Sequence, residues 1–263
     1  MNMKSLFALA AISAVGATSA AVTTGNTLCR IEVNSGTTNT IVAVPLVKID
    51  QNGGAIPVDK LVLTDNLANG DTLLHWNASA NEGNGVWEAW VVANSVWTPV
   101  SVVDGMQAAT VTAGASDATL TRGDAIWVNR TFSGTSTPFY LYGQVTAGSA
   151  TATTLARGTA TTNAYTMVGN PLTEEKAVNS LTFTGGINTG DAIVWGNSTS
   201  IGGVKELTYD GKEWGSFTTT KATLPSGLVV NQKSWTCSTD SIPAGQGFWY
   251  VSKGGTGTLT VAW

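Results

Sequence analysis

Three short stretches of this chain recur in the same order. Met167-Val168-Gly169-Asn170-Pro171-Leu172 echoes Val42-Ala43-Val44-Pro45-Leu46. Gly190-Asp191-Ala192-Ile193-Val194 echoes Gly70-Asp71-Thr72-Leu73-Leu74, and Gly245-Gln246-Gly247-Phe248-Trp249 echoes Gly123-Asp124-Ala125-Ile126-Trp127. The displacement is about 120 residues, far too long for a solenoid unit and close to the size of one small domain. The pattern predicts an internal duplication: residues 21–148 as the first copy and 149–263 as the second. It also sorts residues. Those that both copies keep serve the fold, and those that one copy has alone are free for function.

Residues 1–20 read as an export signal, removed by cleavage after Ala20. Lys4 supplies the positive start, Leu6 to Val15 the short apolar run, and Ala17-Thr18-Ser19-Ala20 the small-residue cleavage site. The run is too short to cross a bilayer as a helix, and no later stretch is apolar and long enough. Only 11% of residues are charged, against an ordinary share of about 25%. Net charge is −4 and no Lys/Arg cluster exists, which argues against nucleic acid as a partner. Two cysteines remain, Cys29 and Cys237. In an exported chain an even pair predicts a disulfide, against the alternative of two unrelated thiols.

The periodicity is β throughout. Leu28 to Val33 alternates, and Asp71 to Trp76 reads as a strand. Gly85 to Val92 and Val96 to Val100 flank a turn at Ala93-Asn94-Ser95, and Asp210-Gly211 is a strong hairpin signal. Helical signal is confined to one turn at Leu172 to Val178, and Thr146 to Thr162 reads as a link between copies. Many short strands with regular turn signals point to an all-β fold of two related β-sandwich-like domains, jelly-roll or Ig-like.

Gly169-Asn170-Pro171-Leu172, Gly190 to Trp195 and Ala244-Gly245-Gln246-Gly247-Phe248-Trp249 together resemble a β module of bacterial secreted and surface proteins. That module carries a GNP turn, a strand ending in Trp and an AGQGFW-type hairpin. The second copy matches it well. The first matches in degraded form, through Ala43-Val44-Pro45-Leu46 and Arg122 to Trp127. The resemblance implies export, a β-sandwich and a structural or adhesive setting, extracellular or at the cell surface of a bacterium. It implies no catalytic residues.

The residues themselves argue against an enzyme. His75 is the only histidine and aligns with Trp195, so a fold-determined position explains it. No zinc set, HExxH or GxSxG elbow is present, and no DxDxDG loop supports calcium. No cofactor or metal is expected. Asp71 and Asp191 follow glycines in matched turns, and Asp65, Asp104, Asp210 and Asp240 sit beside turn-forming or small polar residues. Glu88 lies within a strand. A glycosidase pair of carboxylates is not revealed by spacing.

Ten tryptophans are the better lead. Trp97 with Trp214, and Trp127 with Trp249, are shared positions that predict core. Trp76, Trp87 and Trp235 have no aromatic counterpart. Trp87 alternates away from Trp90, so Trp76 and Trp87, together with Trp235, become candidates for an exposed aromatic platform for sugars or proteins, against the plainer reading that they cover an inter-domain seam or simply pack. The expected role is a non-enzymatic structural protein that self-assembles, as a filament or surface layer, or adheres. Its expected partners are its own copies or other surface components. A carbohydrate-binding protein is the first alternative. The second is a small outer-membrane β-barrel, because Leu259, Val261 and Trp263 alternate at the C-terminus.

Overall fold

A computed structural model describes residues 27–33, 39–46, 54–62, 64, 67–78, 80, 85–101, 111–130, 139–145, 152–159, 161–172, 174–196 and 204–263. Residues 1–20, where an export signal is expected, lie outside these, as do Asp65 and Asp104.

The protein is all-β. The first half contains β1 (Thr27–Val33), β2 (Asn39–Ala43), β3 (Ile56–Pro57), β4 (Thr72–Asn77) and β5 (Val86–Ala93). It continues with β6 (Val96–Val100), β7 (Val111–Ala113), β8 (Thr119–Leu120), β9 (Ala125–Asn129) and β10 (Phe139–Val145). A single helical turn, α1 (Val58–Leu61), follows β3. The second half contains β11 (Thr153–Leu155), β12 (Ala164–Gly169), β13 (Lys176–Ala177), β14 (Thr182–Thr184), β15 (Ala192–Gly196) and β16 (Val204–Tyr209). Then come β17 (Trp214–Thr223), β18 (Val229–Cys237), β19 (Ser241–Ile242), β20 (Gly247–Ser252) and β21 (Leu259–Ala262).

Each half has one large sheet. The first runs β2-β9-β4-β5-β6, with β7 parallel against β5, and the second runs β12-β20-β15-β16-β17-β18. Smaller sheets, β1-β10 and β3-β8 in one half and β11-β21-β14 and β13-β19 in the other, complete the set. Among the described residues every ladder stays within its half, and one isolated bridge, Val42 to Gln246, crosses between them. Among the described residues no helix is long and apolar enough to cross a membrane.

Strand alternation divides the buried side chains into three layers. Leu73 and Trp90 point to one face of the first large sheet and pack with Ile126, Val128, Phe139, Leu141 and the α1 residues Val58 and Leu61. Ile193, Leu207, Trp214, Phe248 and Tyr250 do the same in the second half, against Leu155, Val178, Leu259 and Val261. The alternating C-terminal strand is thus core, and Trp263 packs on Phe248. The opposite faces of the two large sheets meet each other. Leu74, Trp87, Ala89 and Ala125 from the first half pack against Met167 and Trp249 from the second.

The repeated Gly-Asp turns share one local device. Gly70, Gly123 and Gly190 have φ of 95°, 100° and 95°, the left-handed region that glycine enters without a Cβ penalty. The following Asp then accepts a hydrogen bond from the amide three residues before it: Ala68 to Asp71, Thr121 to Asp124 and Asn188 to Asp191, at 2.9, 2.6 and 3.0 Å. Asp71 and Asp191 are fully buried, so their charge needs partners. Arg130 lies 3.3 Å from Asp71, while Tyr250 donates its hydroxyl to Asp191 at 2.6 Å. Burial, reinforced by that bond, raises the Tyr250 pKa well above its ordinary value, so the phenol stays a donor.

Two local expectations are corrected. Among the described residues, the helical turn expected at Leu172 to Val178 is reduced to a 3-10 turn that begins at its last residue, Val178–Ser180. Lys176–Ala177 is strand β13 instead, and the Asn170 amide takes the Glu174 carbonyl that a helix would have used. The stretch Thr146 to Thr162 is not only a link, because β11 inside it pairs with β21.

Candidate functional site

Trp76 and Trp87 are cross-strand partners on β4 and β5. They do not form an exposed platform. Trp87 is 5% exposed and Trp76 is half-buried, both in the seam between the halves. Trp87 meets the Trp76, Trp127 and Trp249 rings edge to face, with centroids 5.2, 5.6 and 5.5 Å apart. The Trp76 indole N–H donates to the Tyr165 carbonyl at 2.8 Å, across the seam. Trp87 does face away from Trp90, as strand alternation requires, but that second face is covered by protein. Edge-to-face packing also consumes the flat ring faces that a sugar would stack on. The shared pair Trp127 and Trp249 belongs to this seam, half-buried, and not to the core of either half. Trp214, by contrast, is in the second core, and Trp97 packs against the first.

The repeated motifs of the second half build the same seam. A Cβ on Gly169 would stand 2.3 Å from the Asp124 carbonyl oxygen and 2.6 Å from the Ala43 Cβ. One on Gly247 would stand 2.4 Å from an Ile41 methyl. Only glycine permits this approach. Gln246 occupies the turn position that Asp124 takes in the first half, and it donates instead to the Ile41 carbonyl at 3.1 Å. Asn170 is fully buried and binds four backbone groups.

His75, Asn77 and Glu88 form the one polar cluster that includes the histidine. His75 Nδ1 lies 3.2 Å from Glu88 Oε2, and Asn77 donates to Oε1 at 2.8 Å. The hydrogen bond with His75, and then that with Asn77, holds the Glu88 pKa below its ordinary value against partial burial. A carboxylate whose folded pKa is lowered stabilises the fold fully above its unfolded pKa, about 4.3. That contribution is lost as pH falls through the folded value. The stability advantage of wild type over Glu88→Gln should therefore shrink below about pH 4. Paired urea titrations at pH 7 and pH 3 check this, and an equal difference at both would refute it. Asp210 accepts from the Lys212 and Glu213 amides as a turn residue, and Asp240 pairs with Lys205. Among the described residues no group of three or more His, Cys, Asp or Glu is placed to hold a metal.

No disulfide is seen among the described residues. Cys237 is an exposed free thiol at the end of β18. Its pKa is raised, chiefly by a hydrogen bond with Glu213. Cys29 lies opposite Gly143 in the β1–β10 pair, and its side chain is outside the described residues.

Trp235 alone of the three unshared tryptophans stands on an open element. β17 pairs with β16 only at Trp214 and Gly215 but continues with β18 from Gly215–Cys237 out to Thr223–Val229. The two strands leave the sheet as a ribbon closed by Leu224 to Leu228, where the Leu224 amide donates to the Leu228 carbonyl at 2.9 Å. Both faces beyond Gly215 are almost wholly exposed. At its base Trp235 packs on Phe217, centroids 4.7 Å apart, and lies over Gly215, whose Cβ would come within 2.7 Å of the indole. Phe217, Leu228 and Val229 are 57%, 60% and 55% exposed. An isolated two-stranded ribbon is marginal in water, and apolar groups held out on one mark a contact. No protein-family model, no curated protein and no solved structure matches this chain.

Proposed function

We propose that this chain is a secreted or cell-surface, non-enzymatic structural protein of a bacterium that works by associating with its own copies or with other surface components. The observation that carries this reading is the β17–β18 ribbon, which presents apolar side chains on an element with no core of its own. The sparse charge supports it, because copies carrying so few charges repel each other weakly. The export signal and the resemblance to secreted β modules support the location. The aromatic residues best suited to glycans are packed edge to face in the seam, which favours association over sugar binding.

The test is sedimentation velocity of the mature chain from about 1 to 200 μM, with electron microscopy and a glycan array on the same sample. Species larger than a monomer are expected, growing with concentration, without glycan binding. A monomer at every concentration that binds a glycan would replace this reading with the carbohydrate-binding one.

A further inference from the structure

The ribbon ends the second large sheet with an edge that pairs with no described strand. Its hydrogen-bonding phase follows from its two ends. The Ser238 amide donates to the Trp214 carbonyl at 2.8 Å, and the Leu224 amide donates to the Leu228 carbonyl. In an antiparallel pair such inward-bonded positions alternate. The even-numbered residues of β18 therefore bond to β17. Val229, Asn231, Lys233, Trp235 and Cys237 turn their backbone N–H and C=O groups to the outer edge. No proline blunts it, although proline is a common protection of edge strands.

The side chains on this edge are self-complementary. Val229, Asn231, Lys233 and Trp235 share one ribbon face with Phe217, with Val229 near the tip and Trp235 at the base. An antiparallel second copy centred on Gln232 sets Val229 against Trp235 and Asn231 against Lys233, on both sides of the axis. Centring on Lys233 would oppose two ammonium groups, which destabilises a cross-strand pair. Sliding towards the tip would carry Trp235 past the end of the partner strand, and sliding past Lys233 towards the base would carry Val229 past Cys237, where β18 ends. The Gln232 register brings the outward residues into four hydrogen-bonded pairs, each exchanging two N–H···O bonds. That gives about eight, within the range of about 10 ± 5 for a typical interface.

We propose that two copies of this chain pair antiparallel through β18, about a two-fold axis at Gln232, joining their large sheets edge to edge. This rests on the self-association reading and gives it a surface and a symmetry. The contact is a strand edge and not a broad face, so the dimer forms reversibly, in the micromolar range.

The register makes the test specific. Gln232 meets its own copy as a non-hydrogen-bonded pair, with Cα atoms about 4.5 Å apart, which suits a disulfide. In a Cys237→Ser background, Gln232→Cys should cross-link into a dimer under mild oxidation, and Asn231→Cys should do so far less. Asn231→Glu should tighten the dimer several-fold by facing Lys233 of the other copy, and Asn231→Lys should weaken it. Lys233→Pro should abolish it with melting unchanged, because that amide points outward and bonds nothing in β17. If wild type self-associates but these variants do not alter it, the surface lies elsewhere: this inference falls and the self-association reading stands. If wild type is monomeric throughout and Gln232→Cys does not cross-link, both fall. Binding of the ribbon to phosphatidylglycerol vesicles, lost in Lys233→Pro, without any dimer would assign the ribbon to a lipid surface and overturn the proposal.

Discussion

Trp87→Ala should destabilise the protein by about 3–5 kcal/mol, the range for truncating a buried aromatic residue. Trp87 is buried in the seam and touches three other indoles, from Trp76, Trp127 and Trp249. Removing it empties a space that β-sheet backbone on both sides cannot collapse into, so the cavity adds to the lost transfer energy. Because the seam joins the halves, the second expectation concerns cooperativity. The denaturation curve should broaden or split, as the halves come to unfold separately. Urea titration read by fluorescence and by circular dichroism checks both. A loss under about 0.5 kcal/mol, as for an ordinary surface change, would mean the seam is open in solution and would restore the platform reading.

Asn170→Ala should cost about 1–3 kcal/mol, the range for leaving a buried polar group without its partner. The Asn170 amide nitrogen donates towards the Glu174, Ile242 and Pro243 carbonyls at 3.0, 3.1 and 3.1 Å. Its oxygen accepts from the Leu172 amide at 2.9 Å. One side chain thus pins the turn after β12 to the turn before β20. Asn170→Asp discriminates this account from simple packing. It keeps the shape but places carboxylate oxygen against three carbonyls, so at neutral pH it should be worse than alanine and should recover in part as pH falls. Equal stability of the Asp variant and wild type at pH 7 would show that the amide is not the donor drawn here.

The candidate contact surface was only partly legible in the chain. Trp235 stood out because nothing aromatic replaces it in the other half. The ribbon that carries it did not, because Thr218-Thr219-Thr220-Lys221 and Asn231-Gln232-Lys233-Ser234 show no apolar alternation. That alternation marks a strand with one buried face, and this ribbon has none. The available signal was a run of β-branched threonines beside a Pro225-Ser226-Gly227 turn cluster.

What the sequence determined by itself was local: β structure throughout, the Gly-Asp turns, and the face of each strand. Trp90 and Leu207 point to a core and Trp87 points the other way, as a period of two requires. Only the tertiary structure decided what lies against that second face. Whether Trp76 and Trp87 meet water, a ligand or Met167 and Trp249 depends on contacts between residues far apart in the chain, and strand period carries no record of them. The same holds for Cys237, whose chemistry follows from the neighbours that β18 brings to it. Sequence period sets which way a side chain points, and the packing of one sheet on another sets what it meets.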